Sequence, residues 1–266
     1  MERLTGGARP ARLAAGFAML ALAVGACATR FEPPTGEIGP RLRVQDSALA
    51  PGNGGELIAA SALEPGDILL SSVATLQSVG IQLATFAPVS HALVYLGDGV
   101  VAEAVGEGVR VRAVDAVLDT ERMVVAFRDP RLKPEQAVLL REWSLAQVGT
   151  RYNTMGVLLS APFVLNRRVC ELPLIPGPVR DACVRGFATV QLGASSNDRF
   201  FCSQFVLAAY AQAGAPLTDA DPRWVSPADL LHMREGDVAT LAPARPLRYV
   251  GHLKYTPTPV AAADSP

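Results

Sequence analysis

Three side chains in this sequence have the chemistry of a thiol-based acyl-transfer site. His91 is one of only three histidines, Glu103 follows it within "SHALVYLGDGVVAEA", and Cys202 stands in "FCSQFVLAAYAQAG". A thiolate can attack a carbonyl carbon, an imidazole can move the protons, and a carboxylate can orient the imidazole. The three residues therefore indicate nucleophilic catalysis on an amide or an ester, if the fold brings them together.

Two short strands are predicted at residues 92–96 and 100–104, on either side of the turn sequence "GDG", whose glycines can take positive backbone angles. With a three-residue loop, Leu93 lies opposite Glu103, and the glutamate is then diagonal to the histidine on the same face of the sheet. A two-residue turn would place the glutamate on the other face. The hairpin alone leaves both registers open, and a histidine before a strand is also a common surface residue.

Cys202 stands at the start of a predicted helix, residues 201–213, which ends at Gly214. A thiol in this position is close to unpaired backbone amides and to the positive end of the helix dipole, and both lower its pKa. The same amides can stabilise the negative oxygen that forms during acyl transfer. A buried cysteine on the apolar face of the helix is the alternative interpretation.

The order of five motifs resembles one family of hydrolases. "EPGDILL", "SHALVYLGDGVVAEA", "GTRYN", "FCSQFVLAAYAQAG" and "SPADLL" follow one another as in the circularly permuted branch of the NlpC/P60 papain-like hydrolases, the YaeF/YiiX-type amidases. Lecithin:retinol acyltransferases are more distant relatives. The resemblance implies an α+β, circularly permuted papain-like fold, in which an antiparallel sheet packs against helices and the nucleophile lies at a helix N-terminus.

The resemblance also implies the roles of individual residues. Cys202 matches the nucleophile, His91 the base and Glu103 the polar residue on the next strand. Supporting positions near the site match Asp67, Tyr152 and Ser203. No cofactor is implied, and no metal site is predicted because the histidines show no H-E-x-x-H spacing and the cysteines no C-x-x-C spacing.

The N-terminal residues 1–26 are predicted to be a lipoprotein signal peptide. Three arginines precede "LAAGFAMLALAVGA", an apolar stretch that is short for a membrane span. "VGAC" resembles a bacterial lipobox, which makes Cys27 the lipidated residue, and Ala28 after it favours the outer membrane. A plain secretory signal with an incidental cysteine is the alternative.

Composition suggests how the remaining chain is divided. Residues 27–62 are rich in proline and glycine and are predicted to be a flexible, lipidated tether, with a reach of roughly 30 Å. Residues 63–256 are predicted to form the catalytic domain and residues 257–266 a disordered tail.

Three cysteines remain after Cys27, an odd number for an oxidising periplasm. Cys170 and Cys183 bracket a proline-rich loop, so a disulfide between them that leaves Cys202 free is the economical pairing. Three unpaired thiols remain the alternative.

The sequence as a whole favours a periplasm-facing enzyme of the bacterial envelope. With 24 basic and 25 acidic residues and no basic run, nucleic acid is an unlikely partner by charge. The leading hypothesis is a cysteine amidase or peptidase that cleaves an amide in peptidoglycan peptides or in another envelope conjugate, and that contacts the membrane through its lipid. A lipid acyltransferase or deacylase and a catalytically silent, lipid-anchored binding protein are the alternatives. The oligomeric state and the role of the insertion at 153–199 stay open.

Overall fold

The structure is a computed structural model that describes residues 28–36, 38–46, 48, 55–72, 87–151, 167–172, 175–192 and 201–256. Its strands are β1 Thr29–Glu32, β2 Arg41–Val44, β3 Ile68–Ser72, β4 His91–Gly97, β5 Val100–Val105, β6 Gly108–Ala113, β7 Met123–Arg128 and β8 Arg248–Tyr255. Its α-helices are α1 Val114–Thr120, α2 Pro134–Ala146, α3 Gly177–Leu192, α4 Cys202–Gln212 and α5 Pro227–His232. Short 3₁₀ turns occupy Ala60–Ala62, Arg167–Glu171 and Pro222–Trp224.

A six-stranded sheet in the order β6-β5-β4-β3-β7-β8 forms the centre of the fold, and its strand pairs are antiparallel. The central strands are buried on both faces, which matches their nearly continuous apolar sequences. One face packs against α4, and the ring of Trp143 in α2 stacks on Phe205 of that helix with centroids 5.7 Å apart. The other face is covered partly by α1 and residue Leu63. The expected combination of an antiparallel sheet with helices is therefore confirmed.

A bulge settles the register of the hairpin that β4 and β5 form. Val94 pairs with Ala102, and the register then shifts so that Gly97 lies opposite Val100. The connection has only two residues outside the strands, but the bulge supplies the extra residue of a three-residue loop. One residue further from the turn, the same register places Glu103 opposite Leu93. The histidine and glutamate therefore share a face, as the longer loop predicts.

The expected tether is corrected by the structure, because its first part is folded. β1 and β2 pair from Thr29 opposite Val44 to Glu32 opposite Arg41. The base of this hairpin is bound to the main body: the Gln45 side chain donates to the carbonyl of Val238 over 3.0 Å, and the buried Arg180 donates to the carbonyl of Thr29. Proline and glycine here mark turns between paired segments rather than free chain.

A second part of the same segment extends the main sheet. The amide of Ile58 donates to the carbonyl of His252 in β8, and the amide of His252 donates to the carbonyl of Glu56. The folded region therefore begins well before Leu63. Residues 1–27, with the predicted signal peptide and Cys27, and the predicted tail at 257–266 lie outside the described residues.

A disulfide joins the 3₁₀ turn Arg167–Glu171 to α3. Cys170 and Cys183 have Cα atoms 5.7 Å apart and are bonded, and Cys202 is the free cysteine among the described residues. Closing a loop of this size contributes about 3 kcal/mol in the chain-entropy model.

A buried ionic network fixes the same turn to α5. The Arg167 guanidinium donates to Glu171 over 3.0 Å and to the Asp229 carboxylate over 2.9 Å. Asp229 also accepts hydrogen bonds of 2.7 Å from the backbone and the hydroxyl of Ser226, the N-cap of α5. These carboxylates and the guanidinium are all buried, so each charge depends on its partners. No described helix is long and apolar enough to cross a membrane.

Candidate active site

The structure brings together the histidine, the glutamate and the cysteine that the sequence singles out. His91 is the first residue of β4, Glu103 lies in β5, and Cys202 is the first residue of α4. His91 Nε2 and Glu103 Oε2 are 2.7 Å apart, the distance of a charge-assisted hydrogen bond. Since Nε2 is engaged by the carboxylate, Nδ1 is the ring nitrogen left to bond the sulfur of Cys202, with which the imidazole is hydrogen-bonded.

The environment of Cys202 favours its thiolate form. Burial alone would raise the pKa of this thiol, but the positive charge and the hydrogen bond of His91 lower it more. The backbone amides of Ala92 and Ser203 also donate to the sulfur and lower the pKa further. The result is a pKa below the ordinary cysteine value, as expected for a nucleophile at a helix start.

The imidazole of His91 is held in its charged form by the same interactions. Burial would lower its pKa, but the thiolate of Cys202 and the carboxylate of Glu103 together raise the pKa of His91 to about 10. The two shifts, a lowered pKa for Cys202 and a raised pKa for His91, both favour a thiolate–imidazolium ion pair over the neutral thiol and imidazole.

Two arginines hold the carboxylate of Glu103, and sequence reasoning missed both. Arg110 lies opposite Glu103 in the β5–β6 register, and its Nε donates to Oε1 over 2.9 Å, while Arg112 Nη1 lies 3.4 Å from the same oxygen. Burial would raise the pKa of Glu103, but His91 and the arginines lower it to about 2. The alternation in "GVRVRA" is the signal that could have placed both arginines on the face of the glutamate.

A second buried carboxyl lies near the imidazole. Glu121 follows α1, and its Oε2 atom has no hydrogen-bond partner among the described residues. Burial raises the pKa of Glu121, although the charge of His91 opposes this. The sequence offered no signal for this residue, since neither periodicity nor spacing relates it to the histidine.

The three supporting residues have different positions from those expected. Asp67 lies at the far end of β3 from the site, about 13 Å along the strand from the residue paired with His91. Its carboxylate accepts two 2.7 Å hydrogen bonds from Arg128. Asp67 therefore stabilises the turn before β3 and does not lie in the site. The Ser203 hydroxyl donates to the carbonyl of Val225, and this residue reaches the sulfur only through its amide. Tyr152 lies outside the described residues.

The other two histidines lie in buried polar pairs. His232 Nδ1 is 2.9 Å from Asp237, and His252 Nδ1 is 2.6 Å from the hydroxyl of Tyr249. In the described part of the chain, no group of three or more His, Cys, Asp or Glu side chains is arranged to hold a metal ion.

The charge of Glu103 is expected to influence the pKa of the Cys202 thiol through the imidazole of His91. We predict that Glu103→Gln lowers the pKa of His91, because the neutral amide no longer stabilises imidazolium, and that the pKa of Cys202 then rises. Turnover should fall by about 10- to 1000-fold, and alkylation of Cys202 at neutral pH should slow.

Glu107→Gln is the matched control for this variant. Glu107 is exposed, lies between the same two strands and contacts Arg110 over 3.3 Å without reaching the histidine. Its alkylation profile should equal that of the wild type. Equal profiles for Glu103→Gln and the wild type would contradict the role of the carboxylate.

Comparison with known proteins identifies the family. No family model matches the chain. The protein named probable lipoprotein peptidase YaeF, from Escherichia coli K12, is 40% identical over 200 residues, which span 74% of this chain and 73% of that protein. The crystal structure of the metalloprotein YiiX from Escherichia coli O157:H7 is 21% identical, covers 59% of this chain and 69% of that one, and has a TM-score of 0.39. The identity between this chain and YaeF, which extends over most of both proteins, confirms the resemblance found in the sequence, and the chain belongs to the YaeF family.

Proposed function

We propose that this protein is a cysteine hydrolase of the bacterial cell envelope that cleaves an amide bond in a peptidoglycan peptide or a related envelope conjugate. The observation that carries the proposal is the imidazole of His91, bound on one side by the thiol of Cys202 and on the other by the carboxylate of Glu103. The name of its relative YaeF, a probable lipoprotein peptidase, agrees with hydrolysis of a peptide-type amide. The permuted papain-like arrangement of the chain belongs to the same proposal.

The ion pair accounts for both halves of the reaction. The thiolate of Cys202 attacks the carbonyl carbon, a C–S bond forms, and the carbonyl electrons move to the oxygen. The tetrahedral intermediate collapses, the C–N bond breaks, and the leaving amine takes the proton of the His91 imidazolium. Water then attacks the thioester while His91 accepts its proton, and cleavage of the C–S bond returns the thiolate.

The start of α4 can stabilise the negative oxygen of the intermediate. The N-cap residue Phe201 has no side chain able to cap the helix, so no side-chain cap occupies the first-turn amides. The amide of Cys202 is one of these, and it lies beside the attacking sulfur. We assign it to the oxyanion site, where one such donor is worth about 100- to 1000-fold in turnover.

Product analysis separates this function from its alternatives. The purified protein and its Cys202→Ala variant are incubated with peptidoglycan and with envelope lipid extracts, and the products are measured by mass spectrometry. We expect peptide fragments from peptidoglycan with the wild type and none with the variant. Fatty acids released or transferred from the lipids would favour the deacylase or acyltransferase instead. Binding without products in both digests would favour the silent binding protein.

We also propose that Cys27 carries lipid and anchors the protein to the outer membrane. The lipobox-like "VGAC" and the relative's name support this. Cells grown with an alkyne-labelled fatty acid should incorporate the label into the wild type, and Cys27→Ser should abolish it because the acylated sulfur is missing. Undiminished labelling of Cys27→Ser would show that the lipid is elsewhere, and Cys202→Ser serves as the matched control.

A further inference from the structure

An exposed apolar surface lies on the hairpin formed by β1 and β2. Phe31 and Leu42 are direct cross-strand partners and are 66% and 51% exposed, and Val44, two residues further on the same face, is 49% exposed. Ile38, at the turn between the strands, is 50% exposed. We call these four residues the apolar hairpin face. Large apolar side chains that are exposed side by side on a small element mark a binding surface.

The point where the chain enters this hairpin is rigidly held. Ala28 is fully buried, its carbonyl accepts from the amide of Gln45 over 2.8 Å, and the next carbonyl is bound by Arg180. At the same end of the hairpin, the amide of Asp46, just after β2, donates to Asp237 over 2.9 Å. Consecutive Cα atoms are about 3.8 Å apart, so a group attached to the residue before Ala28 starts one residue away from this anchored point.

That residue is Cys27, the proposed site of lipid attachment. Acyl chains on Cys27 would enter the bilayer within a few ångströms of a fixed point of the domain. The apolar hairpin face begins four residues later, and the two strands carry three arginines and one glutamate. Arg30 and Arg41 are also exposed, on the opposite face of the narrow hairpin by strand alternation, and arginines are attracted to anionic headgroups.

We propose that the apolar hairpin face inserts into the headgroup region of the membrane and holds the catalytic domain flat against the bilayer. The partner is an anionic lipid surface, which offers an apolar layer for the four side chains, and its negative potential also attracts the arginines on the other face of the hairpin. The proposal rests on acylation of Cys27 and is independent of the hydrolytic activity. On this proposal the domain contacts the membrane directly and is not separated from it by a flexible tether of some thirty residues.

Quenching by brominated lipids tests this contact. Acylated full-length protein is purified from membranes and reconstituted into phosphatidylethanolamine–phosphatidylglycerol vesicles with brominated acyl chains, as the wild type and as Phe31→Trp, Leu42→Trp and Val138→Trp. Val138 is 55% exposed on α2 and is the matched control. The wild type supplies the background emission of Trp143 and Trp224.

The added emission of Phe31→Trp and Leu42→Trp should fall by at least half relative to vesicles without bromine, and that of Val138→Trp should stay nearly unchanged. Because both hairpin positions are exposed, neither variant should disturb folding. The two variants are independent probes of the same apolar hairpin face. Equal quenching at all three positions would overturn the proposal. Absence of hairpin quenching together with dimers in sedimentation would overturn it in favour of a second copy as the partner. The mass of the N-terminal peptide is measured first, and an unacylated Cys27 would overturn the proposal at its premise.

Discussion

Cys202→Ala and His91→Ala should each reduce turnover by about 1000-fold or more, and the double variant should be little worse than either single one. The reason is that nucleophile and base act as one unit: without the thiol no acyl-enzyme forms, and without the imidazole the thiol loses its charge partner and the amine its proton donor. Additive losses in the double variant would contradict a shared step.

The rate of Cys202 alkylation as a function of pH measures the pair directly. The other described cysteines are joined in a disulfide, so Cys202 reports alone once Cys27 is acylated or replaced. In the wild type, the lowered pKa of Cys202 should keep the thiol reactive below the ordinary cysteine pKa of about 8.5, whereas His91→Ala should shift its titration up toward or above that value. A wild-type thiol that titrates near 8.5 and does not respond to His91→Ala would favour the silent binding protein.

The raised pKa of the histidine sets the upper limit of activity. Proton donation to the leaving amine requires imidazolium, which is present below the folded-state pKa of about 10 and is lost as the pH rises through it. Turnover should therefore decline above about pH 10, while alkylation should not, because the thiolate persists. The two profiles together separate the donor role of His91 from its effect on the sulfur.

Asp229→Asn should lower the free energy of unfolding by about 3 kcal/mol. The substitution keeps the shape of the side chain but removes the charge that faces the buried guanidinium of Arg167, and breaking a buried pair costs about 3–5 kcal/mol. Because Arg167 keeps its hydrogen bonds to Glu171, we expect the loss in free energy of unfolding to lie at the lower end of that range. Urea denaturation at neutral pH provides the measurement.

Asp98→Asn is the matched control for this variant. Asp98 forms a 2.8 Å ion pair with Arg141, but on the surface, so the same chemical change should cost less than about 1 kcal/mol. Asparagine also tolerates the positive φ of 51° at this turn. Equal losses in the two variants would show that burial does not determine the strength of the Arg167 pair.

The stability difference between wild type and Asp229→Asn should depend on pH with a definite sign. Burial would raise the pKa of Asp229, but Arg167 and Ser226 lower it below the ordinary value of an aspartate. A carboxylate with a lowered folded-state pKa stabilises the protein fully above its unfolded pKa, and this contribution is lost as the pH falls through the folded value. The gap between wild type and variant should thus narrow in acid.

Local patterns in the sequence predict the elements that carry the candidate residues, and the resemblance to the family implies their roles. The glycine-flanked turn after Leu96 fixed one hairpin, and the period of the apolar residues fixed the helix that begins at Cys202. The register of Glu103 needed one more fact, the bulge at Gly97, which composition alone does not reveal.

The contacts that the sequence did not predict are mostly those between distant segments. Arg167 meets Asp229, and Arg180 meets Thr29, across separations that no periodicity encodes. Composition predicts free chain at the β1–β2 hairpin because a segment rich in proline and glycine separates its two short strands, but tertiary hydrogen bonds fix it to the folded body.

The division of the site between an early hairpin and a late helix affects the chain while it is being synthesised. A nascent chain that ends between Glu103 and Cys202 contains the histidine and its carboxylate but not the cysteine. When the cysteine has been added but α4 has not docked on β4, its thiol has no imidazole beside it and keeps ordinary reactivity. Such a thiol is mostly protonated at neutral pH and is a slow partner in exchange with the Cys170–Cys183 pair. The activated sulfur, and with it the proposed hydrolytic activity, is therefore expected only after the step that closes the core, so an incompletely folded chain should be inactive.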